Sequence, residues 1–162
     1  MFIYSVRAST VKFVAIMLFL AAIVGALAIS SDAGVVSAVS LSTEIDYSRV
    51  KTKEQRIAFM KNFGIEVDEG SETEISFPMP DNFDRIILGY NQLQKKQGLD
   101  LTKYRNKRVT RYTYKVTNYK DDGEVFANLF IHRGKIVACD ISSASPTGFV
   151  TPLTTVDKAK LR

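Results

Sequence analysis

From Phe13 to Ile29 the chain runs for seventeen uncharged, almost wholly apolar residues, directly behind Arg7 and Lys12. That run reads as a membrane helix. At about 1.5 Å per residue it spans roughly 25 Å. Val11, Ser30 and Ser31 lengthen it without charge toward a bilayer core of about 30 Å. A single crossing over residues 13–31 is therefore expected. Asp32, Glu44 and Asp46 precede the next basic residue, Arg49. The positive-inside rule then puts residues 1–12 in the cytoplasm and everything from about residue 32 outside it. The alternative is a cleaved secretory signal, because Ala26-Leu27-Ala28 and, more loosely, Val36-Ser37-Ala38 fit the small-residue cleavage pattern, although the run exceeds the usual signal core of about 7 to 15 residues. Both readings export the same domain, and the expected location is the cell membrane with the C-terminal domain extracytoplasmic.

Behind the anchor about 130 residues remain, enough for one compact domain and too few for two. The chain carries 22 Lys and Arg against 17 Asp and Glu. Removing Arg7, Lys12 and Asp32 leaves 20 against 16, a weak surplus that names no partner by itself. Cys139 is the only cysteine, so stability must come from a packed core rather than an internal disulfide. That suits an envelope domain of a Gram-positive type of bacterium.

Residues 32–48 are mostly Ser, Ala, Val and Gly and read as a linker. The domain is expected over 49–143. Thr52 with Gln55 makes a capping-box pattern, and Ile57, Met60 and Phe63 recur at helical spacing before Gly64, which predicts a helix over Lys53 to Phe63. Ile65 to Val67 and Thr73 to Phe77 read as two short strands around an acidic turn, Asp68 to Glu72. After Pro78 and Pro80, Asp81 or Asn82 can cap a second helix with Phe83, Ile86, Ile87, Tyr90 and Leu93 as its apolar stripe, ended by Gly98. Arg108 to Tyr119 alternates as a strand, with Tyr112 and Tyr114 on one face and Arg111, Thr113 and Lys115 on a wet one. Asp122-Gly123 and Arg133-Gly134 turn the chain into Glu124 to His132 and Lys135 to Ser143, a three-strand antiparallel meander. Residues 144–162, with Pro146 and Pro152, read as an extended C-terminal tail. The order predicts an α+β domain: an N-terminal transmembrane helix, then two helices covering one face of an antiparallel sheet.

Three stretches together resemble a known family. They are Arg56-Ile57-Ala58-Phe59 with Phe63-Gly64-Ile65-Glu66-Val67, then Tyr90-Asn91 through Gln97-Gly98-Leu99-Asp100-Leu101, then the run from Lys107 to Tyr119. They look like the bacterial domain of unknown function 4830, over about residues 48 to 150. The family pattern has Trp where Ile65 stands and a further Cys beyond Cys139; this chain has neither. The resemblance implies a membrane-anchored or exported protein of Firmicutes. It implies no activity and no catalytic residues.

The chemistry in the chain is sparse. The only His and Cys, His132 and Cys139, stand four pairs apart if Arg133-Gly134 is a two-residue turn and Asn128 pairs with Cys139. That is about 13 Å along the strand at roughly 3.3 Å per residue, too far for a nucleophile and its base. Together they are also poor material for zinc, and no metal or cofactor is expected. The carboxylates of Glu66 to Glu74 and Asp121 to Glu124 lack the alternating spacing of a calcium loop and read as solvated turns. The strongest charge feature is Lys103, Arg105, Lys107, Arg108, Arg111 and Lys115, interleaved with Tyr104, Tyr112 and Tyr114. Such a pattern can hold a polyanion through charge and stacking. Outside the membrane, anionic lipid headgroups or a wall polymer such as teichoic acid are the natural candidates, and nucleic acid is not. The bland alternative is a solvated strand face that protects a sheet edge. Three functions follow: a non-enzymatic module that binds an envelope protein or polymer, an extracytoplasmic hydrolase whose carboxylates converge only in the fold, or an accessory subunit of a neighbouring membrane protein.

Overall fold

Thr52 opens the first helix as its spacing predicts. Its hydroxyl accepts from the Gln55 amide, and the Gln55 side chain accepts from the Thr52 amide at 3.0 Å, closing the capping box. Helix α1 runs Lys53–Lys61, and Gly64 takes φ +79° just beyond it, the left-handed stop that glycine tolerates. The computed structural model describes residues 45–120, 123–145 and 147–162. The expected cytoplasmic segment, the anchor and linker residues 32–44 lie outside the described residues, as do Asp121 and Asp122 of the expected turn. No helix among the described residues is long and apolar enough to cross a membrane.

The two short strands expected around Asp68 to Glu72 are one strand, β1 (Val67–Pro78). The acidic segment bulges out of the ladder instead of reversing it: Asp68 pairs with Lys115 and Thr73 with Thr113. Asp68 accepts from the Gly70 amide, and Ser71 Oγ accepts from the Lys115 amide at 2.8 Å, so the bulge is fastened at both ends. Helix α2 spans Arg85–Lys95 and is capped by Asp84, which accepts from the Ile87 amide at 2.8 Å. Neither expected cap, Asp81 or Asn82, caps the helix, and Asp81 accepts from Asn106 Nδ2 instead. Gly98, at φ +80°, follows α2 as expected, and Asp100 caps a short 3-10 turn, Leu101–Tyr104.

The predicted meander is present as β2 (Arg108–Val116), β3 (Val125–His132) and β4 (Lys135–Ser143). With β1 and β5 (Val150–Pro152) it forms a five-stranded antiparallel sheet in the order β1-β2-β3-β4-β5. The sequence predicts both helices on one face of the sheet, but they cover opposite faces. Ile57, Phe59 and Met60 of α1 pack with Tyr114, Leu129 and Ile141, whereas Tyr90 of α2 packs with Val109, Phe130 and Val137. Val109 and Tyr114 stand on opposite faces of β2 by strand alternation. Sheet burial forces this arrangement, since β4 is buried without a break from Ile136 to Ser143 and a strand buried on both sides needs cover on both sides.

A bulge in the β3–β4 ladder corrects the expected register. His132 pairs with Lys135 as the turn predicts, but Ile131 pairs with Ile136 and Phe130 with Ala138, leaving Val137 as the extra residue. Leu129 therefore faces Cys139, and Asn128 faces Asp140. Without the extra residue Asp140 would stand opposite Ala127, inside the α1-side core.

The segment expected as an extended tail is folded. Beyond β5, Leu153 is buried, Leu161 bridges to Tyr119, and the Arg162 amide donates to Asn118 O. The end of the expected linker also packs: the Ile136 amide donates to Tyr47 O and the Val50 amide to Gly134 O, each at 2.9 Å. For segment 47–50 and β5 the reason is the outer edge of β4, whose backbone groups must be paired once buried. Segment 47–50 takes its start and β5 its end. Between them Gln94 Oε1 accepts from the Cys139 amide, and Gln97 Nε2 donates to Cys139 O.

Candidate functional site

The basic residues singled out in the sequence divide into three places. Lys103, Arg105, Lys107 and Arg108 are exposed together at the start of β2. Lys107 Nζ donates to Lys103 O at 2.9 Å and lies over the Tyr104 ring, while the Arg105 guanidinium sits 5.1 Å from the Phe83 ring centre. Lys115 stands seven residues along β2 from Arg108, roughly 23 Å at strand rise. There it pairs with Glu124 at 2.6 Å, which raises its pKa.

Cations the sequence did not single out complete the end that holds Arg108. The β3–β4 turn brings Arg133 there, because β2 and β3 run antiparallel and His132 Nδ1 lies 2.7 Å from Arg108 O. Segment 47–50 brings Arg49, and the Lys51 side chain crosses Gly134 so closely that a Cβ there would meet Lys51 Cγ at 2.7 Å. Lys135 follows on β4. Arg133 and Gly134 both have positive φ, 51° and 76°, the geometry of a tight hairpin turn that favours Asn or Gly over Arg. Arg133 was within reach of sequence reasoning through the predicted turn. Arg49 and Lys51 were not, since no local pattern placed segment 47–50 beside β4.

Arg111 lies elsewhere again, on the α2-facing side of the sheet. The wet face expected for it is half-buried. Burial lowers its pKa, opposed by Asp140 and Tyr90, and its Nε is a buried donor with no partner among the described residues. Asp140 is held by others. Tyr90 Oη donates to its Oδ2 at 2.5 Å and Asn128 Nδ2 to its Oδ1 at 2.9 Å, while Thr113 Oγ1 donates to Asn128 Oδ1. Burial pushes the Asp140 carboxyl up to about 6, against the pull of those hydrogen bonds and of Arg111. Burial likewise drives the Tyr90 hydroxyl well above its ordinary value.

A second ionic cluster joins α1 to the sheet. Arg56 donates from Nε to Tyr114 Oη at 2.7 Å and from a terminal nitrogen to Glu72 at 3.0 Å, with its guanidinium 3.7 Å from the Tyr112 ring centre. Tyr114 Oη also donates to Glu72. Burial acts to raise the Glu72 pKa, but these two donors outweigh it and hold the carboxyl low. Glu72 thus leaves the solvated acidic turn expected for it. Cys139 is fully buried, with its thiol pKa raised by that burial, and His132 contacts Arg108 and the Tyr104 ring instead. No group of three His, Cys, Asp or Glu among the described residues could hold a metal ion.

A cavity of about 820 Å³ beside the basic end opens between segment 45–48, the end of α2 and the Thr154-Thr155 turn. Lys96 and Lys135 line it with Asp46, Tyr47, Thr154 and Thr155. Tyr47 Oη donates to Gln97 O at 2.5 Å, and its pKa is raised to about 12, chiefly by burial.

Residues 59–141 match the family described as a domain of unknown function (DUF4830), and the chain belongs to that family. No curated protein and no solved structure matches the chain.

Proposed function

From a family membership that assigns no activity, we propose that the chain is a non-enzymatic, membrane-tethered module displayed outside the cytoplasm that binds an anionic envelope polymer. The observation that carries this reading is the concentration of cations at one end of the sheet. Lys103, Lys107 and Arg108 at the start of β2 share that end of the sheet with Arg133 of the β3–β4 turn and Lys51 of the entering segment. Exposed cations on separate elements act as a field rather than as pairs, and they attract an extended polyanion with a strong salt dependence. Chain direction supports the same reading, because segment 45–50 enters the fold beside the β3–β4 turn and a tether leading into it would hold the basic end toward the membrane. The carboxylates of Glu72, Asp100 and Asp140 serve the fold: Glu72 holds Arg56, Asp100 accepts from Asn91 and Thr102, and Asp140 accepts from Tyr90 and Asn128.

The test uses the full chain in nanodiscs of neutral lipid and soluble poly(glycerol phosphate) as the probe. Wild type should bind it in low salt and release it as salt rises. A Lys103→Glu, Lys107→Glu, Arg108→Glu variant should lose at least about tenfold in affinity. Equal binding by both proteins overturns the reading, as does binding by neither.

A further inference from the structure

We propose that the cavity beside the basic end is a binding site for a phosphorylated polyol, a unit of the glycerol phosphate class. The inference rests on the proposed function and deepens it by naming what the neighbouring cavity recognises, and of the basic end it uses Lys135 alone. The supply of hydrogen-bond donors and acceptors in the cavity selects this ligand. At about 820 Å³ the cavity has the size of a small-molecule site. Its cations come from two elements, Lys96 just past α2 and Lys135 at the start of β4. Lys135 lies near enough to Asp46 to help lower its pKa, so the cavity keeps one net positive charge, and the ammonium groups, which only donate, call for a ligand rich in anionic acceptors.

The remaining polar groups have already spent their protons. Thr154 Oγ1 donates to Gln97 Oε1 at 2.9 Å, Thr155 Oγ1 donates to Pro152 O at 3.2 Å, and Tyr47 Oη donates to Gln97 O. Asp46 Oδ1 accepts from the amide and hydroxyl of Ser48; its Oδ2 takes no bond from a described residue. What these groups present to the cavity is therefore lone pairs. A bare anion satisfies the lysines and leaves those acceptors facing oxygen. A neutral polyol does the reverse. A ligand with a phosphate at one end and hydroxyl donors at the other satisfies both sets, with the Tyr47 ring as a wall for its carbon chain.

Calorimetry on the full chain in detergent micelles, with sn-glycerol 3-phosphate, inorganic phosphate and glycerol as probes, tests this. Glycerol 3-phosphate should bind at least about tenfold more tightly than either fragment. A Lys96→Gln, Lys135→Gln variant should lose at least about tenfold, and Thr154→Val, which keeps the charge, should weaken glycerol 3-phosphate more than inorganic phosphate. Circular dichroism of each variant confirms that it is folded. The Lys103→Glu, Lys107→Glu, Arg108→Glu variant should bind glycerol 3-phosphate within about twofold of wild type, so polymer binding can fail while this site stands, and the reverse. Displacement by poly(glycerol phosphate) assigns the unit to a polymer, displacement by phosphatidylglycerol nanodiscs to a lipid headgroup, and displacement by neither to a free phosphate ester. Equal affinity for inorganic phosphate and glycerol 3-phosphate, no binding by wild type, or unchanged binding by the double lysine variant overturns the proposal.

Discussion

Replacing Asp140 with Asn should flatten the pH dependence of stability between about pH 7 and pH 4. Asp140 is 1% exposed, and its carboxyl is raised from 3.8 to about 6, burial being the largest cause. A folded pKa above the unfolded one means that the native state binds the proton more tightly. Stability from this group is therefore gained as pH falls through about 6 and is complete below 3.8. The interval between 3.8 and about 6, at ~1.4 kcal/mol per pH unit, corresponds to about 3 kcal/mol. The opposing groups act lower. Asp100 is held down to about 2, first by its hydrogen bond from Thr102, so its contribution is present above 3.8 and lost below it. Subtracting the Asp140→Asn profile from wild type isolates the Asp140 contribution. Asn keeps the shape, and Tyr90 can accept from the new amide because a phenol both donates and accepts. The assay is guanidinium unfolding followed by far-UV circular dichroism at a series of pH values, with the m-value checked for constancy. Parallel profiles for the two proteins between pH 4 and pH 7 would refute the argument that burial, rather than Arg111, governs this carboxyl.

Two further substitutions probe other links. Glu72→Gln removes the anion facing Arg56, whose side chain is 6% exposed. Leaving that guanidinium buried against Tyr114 and Tyr112 should cost ~2–3 kcal/mol in chemical unfolding, and a change below about 0.5 kcal/mol would show that the tyrosines alone satisfy it. Arg133→Asn should stabilise by about 0.5 kcal/mol, because Arg133 sits at φ 51° in a turn where Asn is favoured; a loss of stability would mean that its side chain contributes a contact outweighing the backbone strain.

Local signals in the chain set several element boundaries. Thr52 and Gln55 announce the start of α1, Gly64 and Gly98 the ends of the helices, and Arg133-Gly134 the β3–β4 turn. Each is a decision made within four or five residues, by a cap or a φ angle, and needs no distant partner. The Lys103 to Arg108 cluster was legible for the same reason. Sequence proximity groups Arg111 and Lys115 with it, yet a strand carries neighbours apart by about 3.3 Å per residue and alternates their faces.

What the sequence by itself determined is the start of α1, the glycine stops after both helices, the β3–β4 turn, the family, and the supply of cations. Tertiary structure decided which side of the sheet each helix covers, the extra residue at Val137 that sends Asp140 to Tyr90, and the covering of the β4 edge by residues 47–50, Gln94, Gln97 and β5. The physical reason is that a buried backbone or carboxylate must find its partner wherever the chain can supply one. That search runs over separations of 42 to 50 residues for Cys139 with Gln97 and for Asp140 with Tyr90, beyond any local periodicity.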